Sequence, residues 1–452
     1  LLTSLSTIAD PRECFVVHTG RWVASAVLLL GVAGCGGGGD DKPAPEVKSY
    51  DKSVAGVVEA ADAFLATLSA DQKTKAQLEL TQSTATSWSN LPCGSSCRPG
   101  VKLGDLNATQ LAAAKSVLKT AFGTTEGAGY ERVEQIMLAD DYLKNAQESG
   151  TGGGPGAGGA PGGGFPGANA SGAPNGAANG GPNGGAPGGF PSGAPGGFPG
   201  GNASGAPGGF PGGNPSGAPG GNQGGQGGPG GADSGYSAGT YFLAFLGTPS
   251  TTGTWQLNFG GHHLAVHLTY KAGQVTGASP FFVGVEPTTW TDDNGTDHAP
   301  MQDMKAAILA MTGSLSQQDQ ATAKLAESFS DVLVGPQKDG QFPAKKEGLP
   351  VSTLTADQKK LVLAAIKPWV ANADDATAAA LMKTYESELD KTYIGWSGTL
   401  GLTNHADYVR IDGPSVWIEF VCQNGIVLQN QIHYHTVYRD HTRDYGGEFT
   451  FA

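Results

Sequence analysis

Charge is scarce in this chain. Only 15% of its 452 residues are Asp, Glu, Lys or Arg, the formal charge is −13, and no basic cluster occurs anywhere. Phosphate recognition needs Lys/Arg density, so the composition argues against nucleic acid as a partner. Long apolar runs are missing too. The strongest, within "GRWVASAVLLLGVAGC" at 20–35, is too short to span a bilayer as a helix. The common catalytic signatures are absent: no GxSxG elbow, Walker loop or HExxH helix occurs. A cysteine nucleophile would have to be Cys422, which has no evident histidine beside it.

The short apolar run has another use. Arg21, the run itself and the small residues before Cys35 have the form of a signal peptide. The "VAGC" ending resembles a bacterial lipobox, which predicts lipidation of Cys35. The alternative is an ordinary cleaved signal with Cys35 incidental. Residues 1–35 are therefore read as leader and lipoprotein-like signal, with 1–20 preceding the true signal. Residues 36–49 form a flexible tether that begins with Gly36, as in outer-membrane sorting. The expected location is the cell envelope, at the outer membrane, and the first partner is the membrane through the lipid. Export sets an oxidising context, so Cys93 and Cys97 in "LPCGSSCRPG" are expected to form a disulfide. A metal half-site there would lack a second cysteine pair.

From Gly150 to Ala232 the chain is almost entirely Gly, Pro, Ala, Asn and Ser, with scattered Phe and no charge, repeating "FPGGNASGAP"-like units. Such a tract cannot bury enough apolar surface to offset chain entropy, which predicts disorder. The flanks carry a different repeat. "LSADQ" at Leu68, "LNATQ" at Leu106, "LSQQD" at Leu315 and "LTADQ" at Leu354 each place a capping residue three positions before Gln or Asp. The first pair lies 38 residues apart and the second 39, and each is followed by β-like segments, "WQLNFGGHHLAVHLTY" and "YVRIDGPSVWIEFVC". The expected fold is α+β, an internally duplicated unit of helices followed by antiparallel strands. Residues 50–149 and 233–452 would share one domain, with 150–232 inserted. Closing that loop costs about 4 kcal/mol, which a folded domain tolerates.

Eight of the nine histidines follow residue 261. A strand period of two puts His263, Ala265 and His267 on one face and His262 with Leu264 on the other. In "QIHYHTVYRDHTRDYGG", at 431–447, the same period puts His433 and His435 together. A His-x-His pair on a strand offers two imidazoles to one metal ion, and His263 or His267 could supply the third. Glu419, on the preceding strand, is the candidate fourth ligand or a base acting on metal-bound water. The ligand set is thus His263, His433 and His435, with His262, His267 and Arg439 lining the pocket, and zinc or copper as the metal. The rival reading keeps the same histidines as hydrogen-bonding groups for a small polar ligand or an envelope partner. Arg439 has a plain alternative role, an ion pair that fixes the chain end.

Several of these stretches, among them "AADAFLATLSADQ", "FLGTPSTTGTWQLNFGGHHLAVHLTY" and "IHYHTVYRDHTRDYGG", resemble a bacterial family known as domain of unknown function 3500. The resemblance covers about 54–448 apart from the glycine tract. It implies a shared fold and a shared pocket, with Asn more usual than His at the place of His267. It implies no established reaction.

Overall fold

Capping decides where the helices start. Ser69, Asn107 and Thr355 each accept from the backbone of a Gln three residues on, whose side chain returns the bond, and Ser316 accepts from the Asp319 backbone without that returned bond. Each cap is worth about 1 kcal/mol. The computed structural model describes residues 44–150 and 235–451. Its helices are α1 (Val54–Thr67), α2 (Ala70–Ala76), the one-turn α3 (Gln82–Ala85), α4 (Ala108–Ala121), α5 (Gly129–Glu148), α6 (Gln302–Gly313), α7 (Gln317–Ala323), α8 (Ala356–Val370) and α9 (Asp375–Glu388). In α1 the residues Val57, Ala61, Phe64 and Leu65 recur at helical spacing and are buried.

Between α5 and α6 lie the main strands of the first half. After the two-residue β1 (Gln77–Leu78) and β2 (Val101–Lys102) come β3 (Phe242–Leu246), β4 (Thr254–Gly261), β5 (Leu264–Lys271), β6 (Gln274–Gly277) and β7 (Phe281–Val285). A small separate hairpin, β8 (Trp290–Thr291) and β9 (Asp297–His298), precedes α6. The second half adds β10 (Leu349–Pro350), β11 (Tyr393–Ser397), β12 (Tyr408–Asp412), β13 (Val416–Asn424) and β14 (Ile432–Asp440). One 12-stranded sheet runs β1-β3-β4-β5-β7-β14-β13-β12-β11-β10, with β2 on β3 and β6 on β5. It is mixed, because β1 joins β3 in parallel while the other pairs are antiparallel. The halves meet where β14 pairs β7, Thr436 opposite Val283.

The expected single β-like run "WQLNFGGHHLAVHLTY" is two strands. Gly261 pairs with Leu264, so His262 and His263 form a two-residue hairpin turn. The connection between β12 and β13 is also a two-residue turn, Pro414–Ser415, closed by the Gly413 amide on the Val416 carbonyl at 2.7 Å. β14 likewise stops at Asp440, short of the full histidine-rich segment.

The two faces of the sheet differ. Val266, Leu268, Phe281, Val283, Ile418, Phe420, Tyr434 and Tyr438 face the helices and join Phe64, Leu118, Ile136 and Ile366 in the main core. The opposite face carries Ala265, Phe282, Val437 and Val421 and is covered by loops, through Trp88 in one small cluster and Leu325 and Phe329 in another. His263, His267, His433, His435, Glu419 and Arg439 all belong to this loop-covered face by strand parity. Cys35 and the tract from 151 to 234 lie outside the described residues. Among the described residues, no helix is long and apolar enough to cross a membrane.

Candidate metal centre

The His262–His263 turn is held at every carbonyl. Gly261 O accepts from Arg98 Nη2 at 2.7 Å, His262 O from the Tyr241 hydroxyl at 2.7 Å, and His263 O from the Gly284 amide at 2.7 Å. The His263 amide donates to Asn90 O at 3.3 Å. These contacts hold His263 at φ 61°, a left-handed conformation that costs a non-glycine residue about 1–2 kcal/mol. Strain of this kind persists where surroundings over-determine the backbone, and it concentrates at functional sites.

β14 delivers the other two imidazoles. His433 and His435 alternate with Ile432 and Tyr434, so both rings leave the strand on the loop-covered side. Their Nε2 atoms are 3.2 Å apart. Two nitrogens bound tetrahedrally to one zinc ion lie about 3.3 Å apart, given Zn–N bonds near 2.0–2.1 Å. The His263 ring is 5.4 Å from that of His433 and 5.1 Å from that of His435, centroid to centroid. One ring nitrogen from each of the three lies within 4.8 Å of the others. Gly284 makes the space: a Cβ there would come within 2.9 Å of both the His263 and His435 rings.

Two carboxylates set the tautomers. His435 Nδ1 bonds Asp331 Oδ1 at 3.0 Å, and His262 Nδ1 bonds Asp140 Oδ1 at 2.7 Å. A carboxylate accepts only from N–H, so in a neutral ring the lone pair falls on Nε2, the carboxylate–histidine arrangement of metal sites. His262 stacks on His263 at 3.6 Å, and Asp140, His262 and His263 form a second convergent group. The same Tyr241 hydroxyl lies 2.8 Å from the other Asp140 oxygen, so its one hydrogen is shared between Asp140 and His262 O.

Two of the rings are held neutral. Burial, reinforced by the neighbouring histidines, pushes His263 well below the usual range and His433 down to about 3. The Nδ1 of His433 has no hydrogen-bond partner of ordinary geometry, and the Asn424 backbone only partly offsets the burial. Neutral imidazoles gathered out of water are what a cation binds, and what a pocket without one gains least from.

The remaining predicted residues lie elsewhere on the same face. Glu419 pairs with Val437, and it is Gln423 that sits opposite His433. The Glu419 carboxylate accepts from the Leu333 and Val334 amides at 2.7 and 2.9 Å, the Tyr408 hydroxyl at 2.8 Å and Trp417 Nε1 at 2.9 Å. Four donors occupy it, and neither convergent group includes it; burial raises its pKa against their pull. The expectation of Glu419 as ligand or base is therefore corrected to a carboxylate that anchors the covering loop. Arg439 is fully buried and bonds Asp444 at 2.6 Å, Asp339 at 2.7 Å and Val334 O at 3.2 Å, so it is an ion-pair hub and not a pocket wall. His267 bonds Pro280 O at 2.8 Å and packs on Trp88 and Tyr445, away from the other histidines. Cys93 and Cys97 form a disulfide, and Cys422 is a buried free thiol.

Asp140, Asp331 and Gly284 were not foreseen. Asp140 did leave a signal: it lies at helical spacing with Val133, Ile136 and Leu143, the buried face of α5, where a lone carboxylate needs a partner. Asp331 and Gly284 left none, since each matters through a fold-level contact.

The chain matches the family model described as protein of unknown function (DUF3500) over residues 50–447, and it belongs to that family. No curated protein and no solved structure shows significant similarity to it.

Proposed function

We propose that this is an exported, lipid-anchored protein of the cell envelope whose sheet binds one transition-metal ion, zinc or copper, through His263, His433 and His435. The observation that carries the reading is the convergence of three imidazole nitrogens within 4.8 Å at a buried point, two of them already at metal-ligand spacing. His262, oriented by Asp140 and stacked on His263, is the nearest further donor. Asp140 and Asp331 supply negative charge against a dication. The three ligand rings and His262 are each at most 7% exposed. Such a closed site suits holding a metal better than admitting a bulky substrate.

The Cys93–Cys97 disulfide fits an oxidising compartment, which supports export. The matched capping boxes and the two glycine-led hairpins support an internal duplication, with residues 150–232 inserted in its first copy. A second reading, binding of a small polar ligand, has its own observation: a groove of about 590 Å³ between α1 and α9, lined by Lys52, Arg443 and Thr384.

Elemental mass spectrometry of untagged protein, after dialysis against zinc and against copper, tests the lead reading. Near one equivalent, lost in a His433→Ala/His435→Ala variant that still folds, is the expected result. Metal retained by that variant sinks the ligand assignment, and no metal under any condition moves the weight to the groove. Fatty-acid labelling that disappears in Cys35→Ser tests the anchor.

A further inference from the structure

Arg98 stands between the disulfide and the histidine turn. Its side chain is buried, and one guanidinium nitrogen, Nη2, donates to Ser89 O at 2.8 Å, to Leu91 O and to Gly261 O at 2.7 Å. The other, Nη1, lies 3.8 Å from Cys93 Sγ and 3.6 Å from Cys97 Sγ. The same loop supplies Asn90 O, which receives the His263 amide. The strained turn that aims His263 is thus tied at two points to the segment 89–98, within which the disulfide closes residues 93–97. The two cysteines are partly exposed, within reach of a reductant, while Arg98 is not.

We propose that Arg98 is a positioning residue for His263 and that the Cys93–Cys97 disulfide is a redox lock on the metal site; this rests on the metal reading above. Reduction by a dithiol balances simply. The dithiol gives up two electrons and two protons and closes to its own disulfide, while the Cys93–Cys97 S–S bond breaks to two thiols. Opening the S–S bond frees the 93–97 loop that holds Arg98 against the turn, and in the reduced protein a thiolate beside the guanidinium also competes for Arg98 as a charge-assisted acceptor. Burial holds Arg98 down to about 10, which leaves it cationic at neutral pH. No longer held by the closed loop, it releases Gly261 O, and the left-handed His263 relaxes away from His433 and His435. Loss of an outer contact of this kind costs about 10–100-fold in metal affinity.

The test uses the full chain with zinc as the probe. Zinc affinity is measured by competition with a chromophoric chelator for the oxidised protein, the phosphine-reduced protein and Cys93→Ser/Cys97→Ser. The serine variant removes the chance that free thiols take the metal themselves. The lock predicts about 10–100-fold weaker zinc binding after reduction and in the serine variant, with no reductant effect in the latter. Equal affinity in all three overturns the lock and leaves the metal reading standing. If oxidised protein binds no zinc, the metal reading fails and hydrogen–deuterium exchange across 258–268 decides the lock. Faster exchange on reduction keeps it, and unchanged exchange overturns it. Should the serine variant not fold, Arg98→Gln takes its place, with weakened zinc binding expected while the disulfide is intact.

Discussion

The loop-covered face of β14 carries two buried polar regions a few residues apart, and they are built on opposite principles. At one end Arg439 is closed on Asp339 and Asp444, and Glu419 on the adjacent strand collects four donors. Charges there meet opposite charges, and strong acceptors meet strong donors. At the other end His263, His433 and His435 meet one another, with His433 Nδ1 left over. The first region is complete as it stands and serves the fold. The second is organised at some cost in backbone strain and desolvation, and its three histidines could hold a metal ion. One covering segment touches both: Asp331 bonds His435, while Val334 bonds Glu419 and Arg439.

The sharpest way to break this contrast is to attack the closed region. Arg439→Ala strands Asp339 and Asp444 without their cation, and stability should fall by about 3–5 kcal/mol in urea unfolding. A loss under about 1 kcal/mol would mean the hub is not a closed ion network. Zinc should do the reverse at the open region. With free zinc near a thousand times Kd, wild-type protein should gain about 4 kcal/mol, and His433→Ala/His435→Ala should gain nothing. Equal gains in both would place the metal elsewhere.

His267 adds a pH signature to the closed side. Burial brings its pKa to about 4, below the ordinary unfolded value, with the Pro280 bond opposing. The native ring stays neutral while the unfolded chain takes up a proton. Its stabilisation is therefore complete above about pH 6.5 and is lost toward pH 4, amounting to about 3 kcal/mol. His267→Asn should flatten that part of the stability–pH curve and leave zinc affinity alone. An unchanged slope would contradict a neutral His267. The smallest effect is expected for Gly284→Ala, about 1–3 kcal/mol from overpacking against the His263 and His435 rings. Here the informative readout is zinc affinity, which should fall more than stability does. A variant that binds zinc normally would show that the rings need not sit where Gly284 lets them.

Much of the site was legible because strand parity is a strong rule. It put His433 and His435 on one face, and the turn that carries His263 happens to preserve the same side. What parity cannot supply is register. Glu419 looked close to His433 because its strand precedes that histidine, yet the pairing sets it beside Val437, four positions along, about 13 Å at strand rise. The turn itself was missed because "GGHHL" lacks the usual Asn-Gly or Asp-Gly, and its left-handed residue is a histidine held by tertiary bonds. Arg98, Asp140 and Asp331 reach the cluster from 100 to 165 positions away, distances at which sequence spacing carries no signal. Helix starts fared better, since a capping box is local chemistry and needs no tertiary help.

The most direct test of the central claim is X-ray absorption at the zinc edge on protein loaded with one equivalent. The account predicts imidazole scattering from at least three nitrogen ligands at about 2.0 Å, reduced in His433→Ala/His435→Ala. Sulfur scattering near 2.3 Å, or an oxygen-only shell, would contradict it.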